Sequence, residues 1–120
     1  MGKNIKLIVR ALVENNKNEI LMLKRNSNDS FPNEWQFPGG KVEFGENPGT
    51  AIARELEEET GINLTASYPV NVESKLSEDG EEQIIEIHYK CIPLGSEEVW
   101  LSKEHTDYRW VNQNRLSSNY

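Results

Sequence analysis

Hydrophobic positions along the chain fall into short β-prone runs, interrupted once by a helical pattern. Ile5 to Val13 and Ile20 to Lys24 are apolar and rich in branched residues, and Glu14 to Asn18 between them predicts a hairpin connection. Asn26 to Glu34 is polar and predicts a loop. Val70 to Leu76 and Gln83 to Ile92 flank Ser77-Glu78-Asp79-Gly80-Glu81, a second hairpin with an acidic tip. In the second of those runs Ile85, Ile87 and Tyr89 alternate with Glu86, His88 and Lys90, the period of a strand with one buried side. Tyr108 to Val111 predicts the last strand. The helical segment lies in the middle. Asn47 is placed as its N-cap and Pro48 as its first residue, Gly61 ends it, and Ile52 and Leu56 make an apolar stripe at i,i+4. Just before it, Pro38-Gly39-Gly40 predicts a tight backbone turn that brings an exposed carbonyl and amide close to whatever the helix binds.

The polar side of that helix is unusual. At about 100° per residue, Glu55, Glu58 and Glu59 fall at about 0°, 300° and 40°, whereas Glu57 falls near 200°. Like charges at these spacings cost roughly 0.2–0.5 kcal/mol per pair in an isolated helix. Taken alone, an acidic helix face is most simply a solvated surface. A hard divalent cation gives the cluster a purpose, because it takes carboxylate oxygens and cancels their repulsion.

The spacing carries more information than the charge. Gly40, five residues, Glu46, seven residues, Arg54-Glu55-Leu56, one residue, Glu58-Glu59, one residue, Gly61-Ile62 resembles the complete signature of the Nudix hydrolases, across residues 40 to 62. Around it, Asn18-Glu19-Ile20 leading to Lys24-Arg25, then Trp35 to Lys41, and Lys103-Glu104 ahead of Trp110-Val111, are similar to the MutT-like branch of that family. The resemblance implies an α/β fold of the Nudix type, an α/β/α sandwich in which a mixed sheet carries the acidic helix on one face and a second helix on the other.

That second helix is where the chain departs from the pattern. Only Asn112 to Tyr120 follow Trp110-Val111, and this stretch is polar and too short for the usual C-terminal helix. Either the sheet face is thinly covered, or a partner copy covers it, or the chain is cut. An uncovered apolar face favours association, so a homodimer is expected.

Composition narrows the rest. The 120 residues suffice for a single domain over residues 1–120 with one core. A net charge of −7 argues against a protein that grips nucleic acid by its backbone, and no run approaches the ~20 apolar residues of a membrane span. The lone Cys91, in an alternating apolar run, reads as a buried core thiol and fits a reducing cytoplasm.

What the resemblance implies for the site is specific. Mg²⁺, with Mn²⁺ as the alternative, is expected on Glu55, Glu58 and Glu59 and the main-chain oxygen of Gly39. Glu55 is a ligand or the base that activates water, and Glu104 is a further metal-binding or catalytic carboxylate. Arg54 is expected to brace the carboxylates by charge-assisted hydrogen bonds. Arg25 and Lys41 are placed near the phosphates, and Phe37 and Trp35 are the candidates for stacking on a base. His105 reads as a solvent-facing loop residue, and His88 as the polar face of a strand. The implied activity is metal-dependent hydrolysis of a small nucleotide substrate. A nucleoside triphosphate, oxidised purines included, would be split to monophosphate and pyrophosphate. The alternatives are a Nudix hydrolase for nucleotide sugars, dinucleoside polyphosphates or capped RNA, and a non-catalytic nucleotide-binding module.

Overall fold

The computed structural model describes residues 2–27 and 32–114. The strands, in chain order, are β1 (Asn4–Val13), β2 (Glu19–Arg25), β3 (Trp35–Gln36), β4 (Gly39–Lys41), β5 (Leu64–Leu76), β6 (Glu82–Pro93) and β7 (His105–Asn112), with helix α1 (Pro48–Thr60) between β4 and β5. They form two sheets. One is mixed, in the order β4-β1-β6-β5, with β1 parallel to β6; the other is antiparallel, in the order β3-β2-β7. The acidic helix lies against the mixed sheet. The segment from Arg115 onward, on which the shortened second helix was expected, lies outside the described residues, as do residues 28–31 of the loop after β2.

The core follows from the two periodicities. Val9, Ala11 and Val13 alternate along β1; Ala11 pairs with Tyr89 and Val13 with Cys91, and all five are buried against Ala51, Ile52 and Leu56 of the helix. Leu21 and Leu23 of β2 close the same cluster from the second sheet. Burying each Val, Leu or Ile side chain among them stabilises the fold by about 1.5–3 kcal/mol. Cys91 is the core thiol that the alternation predicts, and burial pushes its pKa up to about 12. Among the described residues no helix is long and apolar enough to cross a membrane.

Helix α1 begins and ends where the sequence places it. Asn47 keeps an extended backbone while its side chain accepts from the Gly49 N–H at 2.8 Å. At the other end Gly61 has φ 76°, and its N–H donates to the Glu57 carbonyl at 2.9 Å. Thr60 is folded back into this end, donating its hydroxyl to the Leu56 carbonyl at 2.7 Å and accepting from the Ile62 N–H.

Three expectations change. Glu14 to Asn18 is not the tip of a continuing hairpin: the pairing between its arms stops at the Glu14–Ile20 bridge, and β1 and β2 then enter different sheets. Both edges of β1 are taken by β4 and β6, and both edges of β2 by β3 and β7, so neither strand has an edge free for the other. Strand β5 begins at Leu64 rather than Val70. Pro69 lies within it, which is tolerated because β5 is an edge strand whose register shifts between Pro69 and Asn71, where an N–H is not needed. Gly39 and Gly40 belong to a short strand, not a turn. A side chain on Gly39, which has φ 153°, would meet the Val9 carbonyl oxygen at 2.0 Å, so glycine is required there by the close approach of β4 to β1.

Candidate active site

Helix α1 supplies one wall of a cleft. Glu59 is 3% exposed, and its Oε1 accepts from the Gly39 N–H at 3.0 Å, which ties the last turn of the helix to β4. Glu55 reaches the same place from one turn earlier and lies over Gly40, where a β-carbon would stand 2.6 Å from its carboxylate. The two adjacent glycines therefore have separate tasks. Gly39 lets β4 meet β1, and Gly40 leaves room for the Glu55 carboxylate.

Arg54 organises the acids from the side. Its Nε and Nη2 donate to the two carboxylate oxygens of Glu46 at 2.8 and 3.0 Å, while Nη1 donates to Glu55 at 3.0 Å and Glu58 at 3.2 Å. A two-pronged bond to Glu46 fixes the plane of the guanidinium, so its third arm holds Glu55 in one place. These partners raise the Arg54 pKa, and its hydrogen bond to Glu46 holds that carboxyl below the usual range. The Glu58 side chain, held by Arg54, is 60% exposed and is not among the residues that line the cleft.

The opposite wall comes from the segment before β7. The Trp100 N–H donates to the Thr60 carbonyl at 2.7 Å and the Ser102 N–H to the Glu59 carbonyl at 3.2 Å, so this segment is docked on the end of the helix. From the other side, the Asn26 N–H donates to the Glu104 carbonyl and the Asn26 side chain to the Lys103 carbonyl, both at 2.9 Å. Glu104 is held between two anchors and lines the cleft although it is exposed.

His105 is not the solvent-facing loop residue that was expected. It is the first residue of β7, 6% exposed, with Nε2 3.1 Å from Gln36 Nε2. The cause is a register shift. Lys24 pairs with Asp107 but Arg25 pairs with His105, so the extra residue, Thr106, reverses the alternation and turns His105 inward.

Glu55, Glu59, Glu104, His105, Gly39, Gln36, Arg25 and Arg10 together line a cavity of about 190 Å³. Arg25 donates to the Gln36 side chain at 2.9 Å, within the cleft as expected. The other substrate-side candidates stand outside that lining. Lys41 is exposed, and its carbonyl accepts from Arg54 at 3.3 Å. Phe37 is half-buried and offers its carbonyl to Arg10, and the Trp35 ring is covered by the Arg109 guanidinium at 4.4 Å from its centroid. Arg10 and His105 were not anticipated. Arg10 sits in the middle of an apolar strand, where alternation announces only that it faces away from the helix.

The electrostatics of the cleft favour a cation. Burial pushes the Glu59 carboxyl up to about 8, against the pull of the Gly39 N–H, and the negative charges of Glu55 and Glu104 push the same way. Glu55 is raised too, by burial first, with Arg54 opposing and Glu58 and Glu104 adding to the rise. Oxygen donors of Glu59 and Glu104 and a ring nitrogen of His105 lie within 4.8 Å of one another. Carboxylates crowded and desolvated to this degree fit a hard divalent cation, which accepts several oxygens and supplies the positive charge that they need.

The family profile described as a NUDIX domain matches residues 5–119. An 8-oxo-dGTP diphosphatase of Escherichia coli strain K12 is 30% identical over 105 residues, spanning 88% of this chain and 78% of that protein. Nucleoside triphosphatase NudI of Escherichia coli O139:H28 is 29% identical over 118 residues, spanning 91% and 83%. Among solved structures, a MutT protein from Methanosarcina mazei Go1 superposes with a TM-score of 0.77 at 33% identity, covering 96% of this chain and 82% of that one. A MutT NUDIX hydrolase from Burkholderia pseudomallei gives 0.77 at 26% identity, covering 90% and 83%.

Proposed function

The chain belongs to the Nudix family, in its MutT-like branch, and on that premise we propose that it hydrolyses nucleoside triphosphates to nucleoside monophosphate and pyrophosphate. One observation carries the reading: three carboxylates, Glu55, Glu59 and Glu104, and two guanidiniums, Arg10 and Arg25, line one small cleft. Acids and guanidiniums in one cleft suit a polyphosphate whose charge is shared with cations. The names of two relatives, an 8-oxo-dGTP diphosphatase and a nucleoside triphosphatase, point to the same substrate class and bring oxidised purine nucleotides within it.

Glu55, Glu58, Glu59, Glu104 and the Gly39 carbonyl hold the cation in this proposal, Mg²⁺ first and Mn²⁺ as its substitute. Bound there, a divalent ion lowers the pKa of water and neutralises charge on the phosphate oxygens. Glu55 or Glu104 takes the proton from the attacking water. Glu55 suits that task because burial has already raised its proton affinity, and Glu104 because it is open to solvent. Arg54 touches no substrate; it positions Glu55 and Glu58 and is itself fixed by Glu46. Arg25, steadied by Gln36, meets a phosphate oxygen, and Lys41 is the flexible second cation. Phe37, beside the cleft, is the better stacking candidate, since Arg109 already covers Trp35. The lone buried thiol supports a cytoplasmic setting. Exposed Ile5, Val72 and Leu76, on the helix side of the mixed sheet, support a homodimer.

The test is product analysis across a panel of nucleoside triphosphates, including 8-oxo-dGTP. Pyrophosphate and monophosphate in equal amounts are expected. Release of inorganic phosphate alone, or turnover of nucleotide sugars or dinucleoside polyphosphates in preference to triphosphates, overturns the proposal.

A further inference from the structure

Arg10 has no role in the carboxylate machinery, yet it is built into its cleft. Its Nη1 donates to the Phe37 carbonyl at 3.3 Å, a long bond and the only hydrogen bond that its side chain makes among the described residues. A guanidinium carries five N–H donors. None of the Arg10 nitrogens is sealed from solvent without a partner, and the side chain lines the cavity, so the remaining donors are open to it. Burial lowers the Arg10 pKa, and the negative charges of Glu86, Glu59 and Glu55 oppose that fall. A half-buried cation with unused donors, kept charged by acids that it does not touch, is prepared for an anion that arrives later.

The sheet indicates which anion. Arg10 pairs with His88 on β6, and His88 pairs with Asn71 on β5, so the three share the side of the sheet away from the helix. On that same side Glu86 and Glu73 pair in the next row, and Glu73, Lys75, Ile84 and Glu86 border a hollow of about 440 Å³. The catalytic cleft, at about 190 Å³, has room for phosphates and little else. The hollow has room for a base and sugar, and its lining strands β6 and β5 lie one and two strand spacings, about 5 and 10 Å, from β1. Arg10 lines the cleft, and the charge of Glu86, which borders the hollow, reaches it.

We propose that Arg10 binds the phosphate joined to the nucleoside, holding it while the nucleoside lies across β6 and β5 toward His88. The assignment rests on the nucleotide hydrolysis proposed above. It makes Arg10 a substrate-binding residue with a defined end of the substrate, in contrast to Arg25 on the far sheet.

The two products separate that claim from a structural role. Inhibition by dGMP and by pyrophosphate is measured for the parent and for Arg10→Gln, with thermal melts to confirm folding. Losing charge-assisted hydrogen bonds to one phosphate weakens dGMP inhibition about tenfold to a hundredfold, while pyrophosphate inhibition stays within about twofold. Arg10→Lys, which keeps the charge and loses the fork, falls between parent and Gln variant and replaces the latter if it does not fold. Unchanged dGMP inhibition, or equal weakening for both products, overturns the assignment. A parent protein that hydrolyses no nucleoside triphosphate overturns the proposed function instead; calorimetric titration of dGMP into parent and variant then still reads Arg10.

Discussion

The two walls of the cleft are made in opposite ways. Helix α1 places Glu55, Glu58 and Glu59 by its own pitch, with both ends capped and its apolar stripe buried, so three acids share one side of it with no help from distant sequence. The wall opposite, Glu104 and His105, has no pitch of its own. It is docked on the carbonyls of Glu59 and Thr60, pinned by Asn26, and turned by a one-residue bulge. A regular element carries its chemistry in local spacing, whereas an irregular one carries it in contacts made across the fold. The helix wall should therefore be essential and insensitive to its surroundings, and the second wall should contribute less and depend on its anchors.

The largest effect tests what both walls share. Treating the protein with excess chelator should abolish turnover, and restoring Mg²⁺ or Mn²⁺ should recover it, because carboxylates this close repel a triphosphate that arrives unshielded. Full activity in chelator would falsify the metal assignment for both walls together.

Next is the helix wall alone. Glu58→Gln should lower kcat by about 10²-fold or more, whereas Glu57→Gln should leave it within about twofold, since only the first shares the face of Glu55 and Glu59. The neighbours are both exposed, so burial cannot explain a difference between them. Equal losses would mean that helix pitch does not define the site.

The second wall should respond more weakly. Glu104→Gln is expected to reduce kcat with little change in KM, by less than the loss at Glu58, leaving the melting temperature unchanged because the side chain is exposed. If Glu104→Gln keeps kcat within about twofold of the parent, Glu55 is the base and the wall is only a lip. Asn26→Ala, which cuts the side-chain anchor to Lys103, should reproduce part of the Glu104 loss without touching the reacting groups; an unaffected kcat would show that the segment holds itself.

The same contrast explains what could be read from the sequence. Asn47, Pro48, Ile52, Leu56 and Gly61 define the helix by rules that act within a few residues, and its acid face follows from them. The strands β1, β2 and β6 were legible from alternation, but which strand pairs with which was not: the Glu14 to Asn18 turn looks like a hairpin whether or not its arms stay together. His105 reads as a loop residue because nothing local marks a strand before Tyr108, and its inward turn depends on a bulge set by the pairing of β7 with β2. Arg10 escapes the local rules for a related reason. A polar residue in an alternating strand announces which face it takes, and what that face looks onto is decided by β3, β4 and the segment before β7.

The smallest expected effect concerns stability, and it separates folding from function within the helix wall. In chelator the buried Glu59 carboxylate has too little positive charge near it. Its folded pKa is about 8, against an ordinary value of 4.5, so the folded state holds this proton more tightly than the unfolded chain does. The stability linked to it is therefore complete below about pH 4.5 and is lost as pH rises toward 8. Glu59→Gln removes that dependence while keeping an oxygen to accept the Gly39 N–H. In chelator the variant and parent should melt alike near pH 5, and at pH 8.5 the variant should melt higher, by about 4 °C or more if ~1 kcal/mol is recovered. Added Mg²⁺ should raise the melting temperature of the parent more than that of the variant, closing the gap, and the variant should have lost turnover. A variant that melts lower than the parent at pH 8.5 in chelator would show that the Glu59 charge is already compensated in the cation-free fold, and that the helix wall stores no repulsion for a cation to relieve.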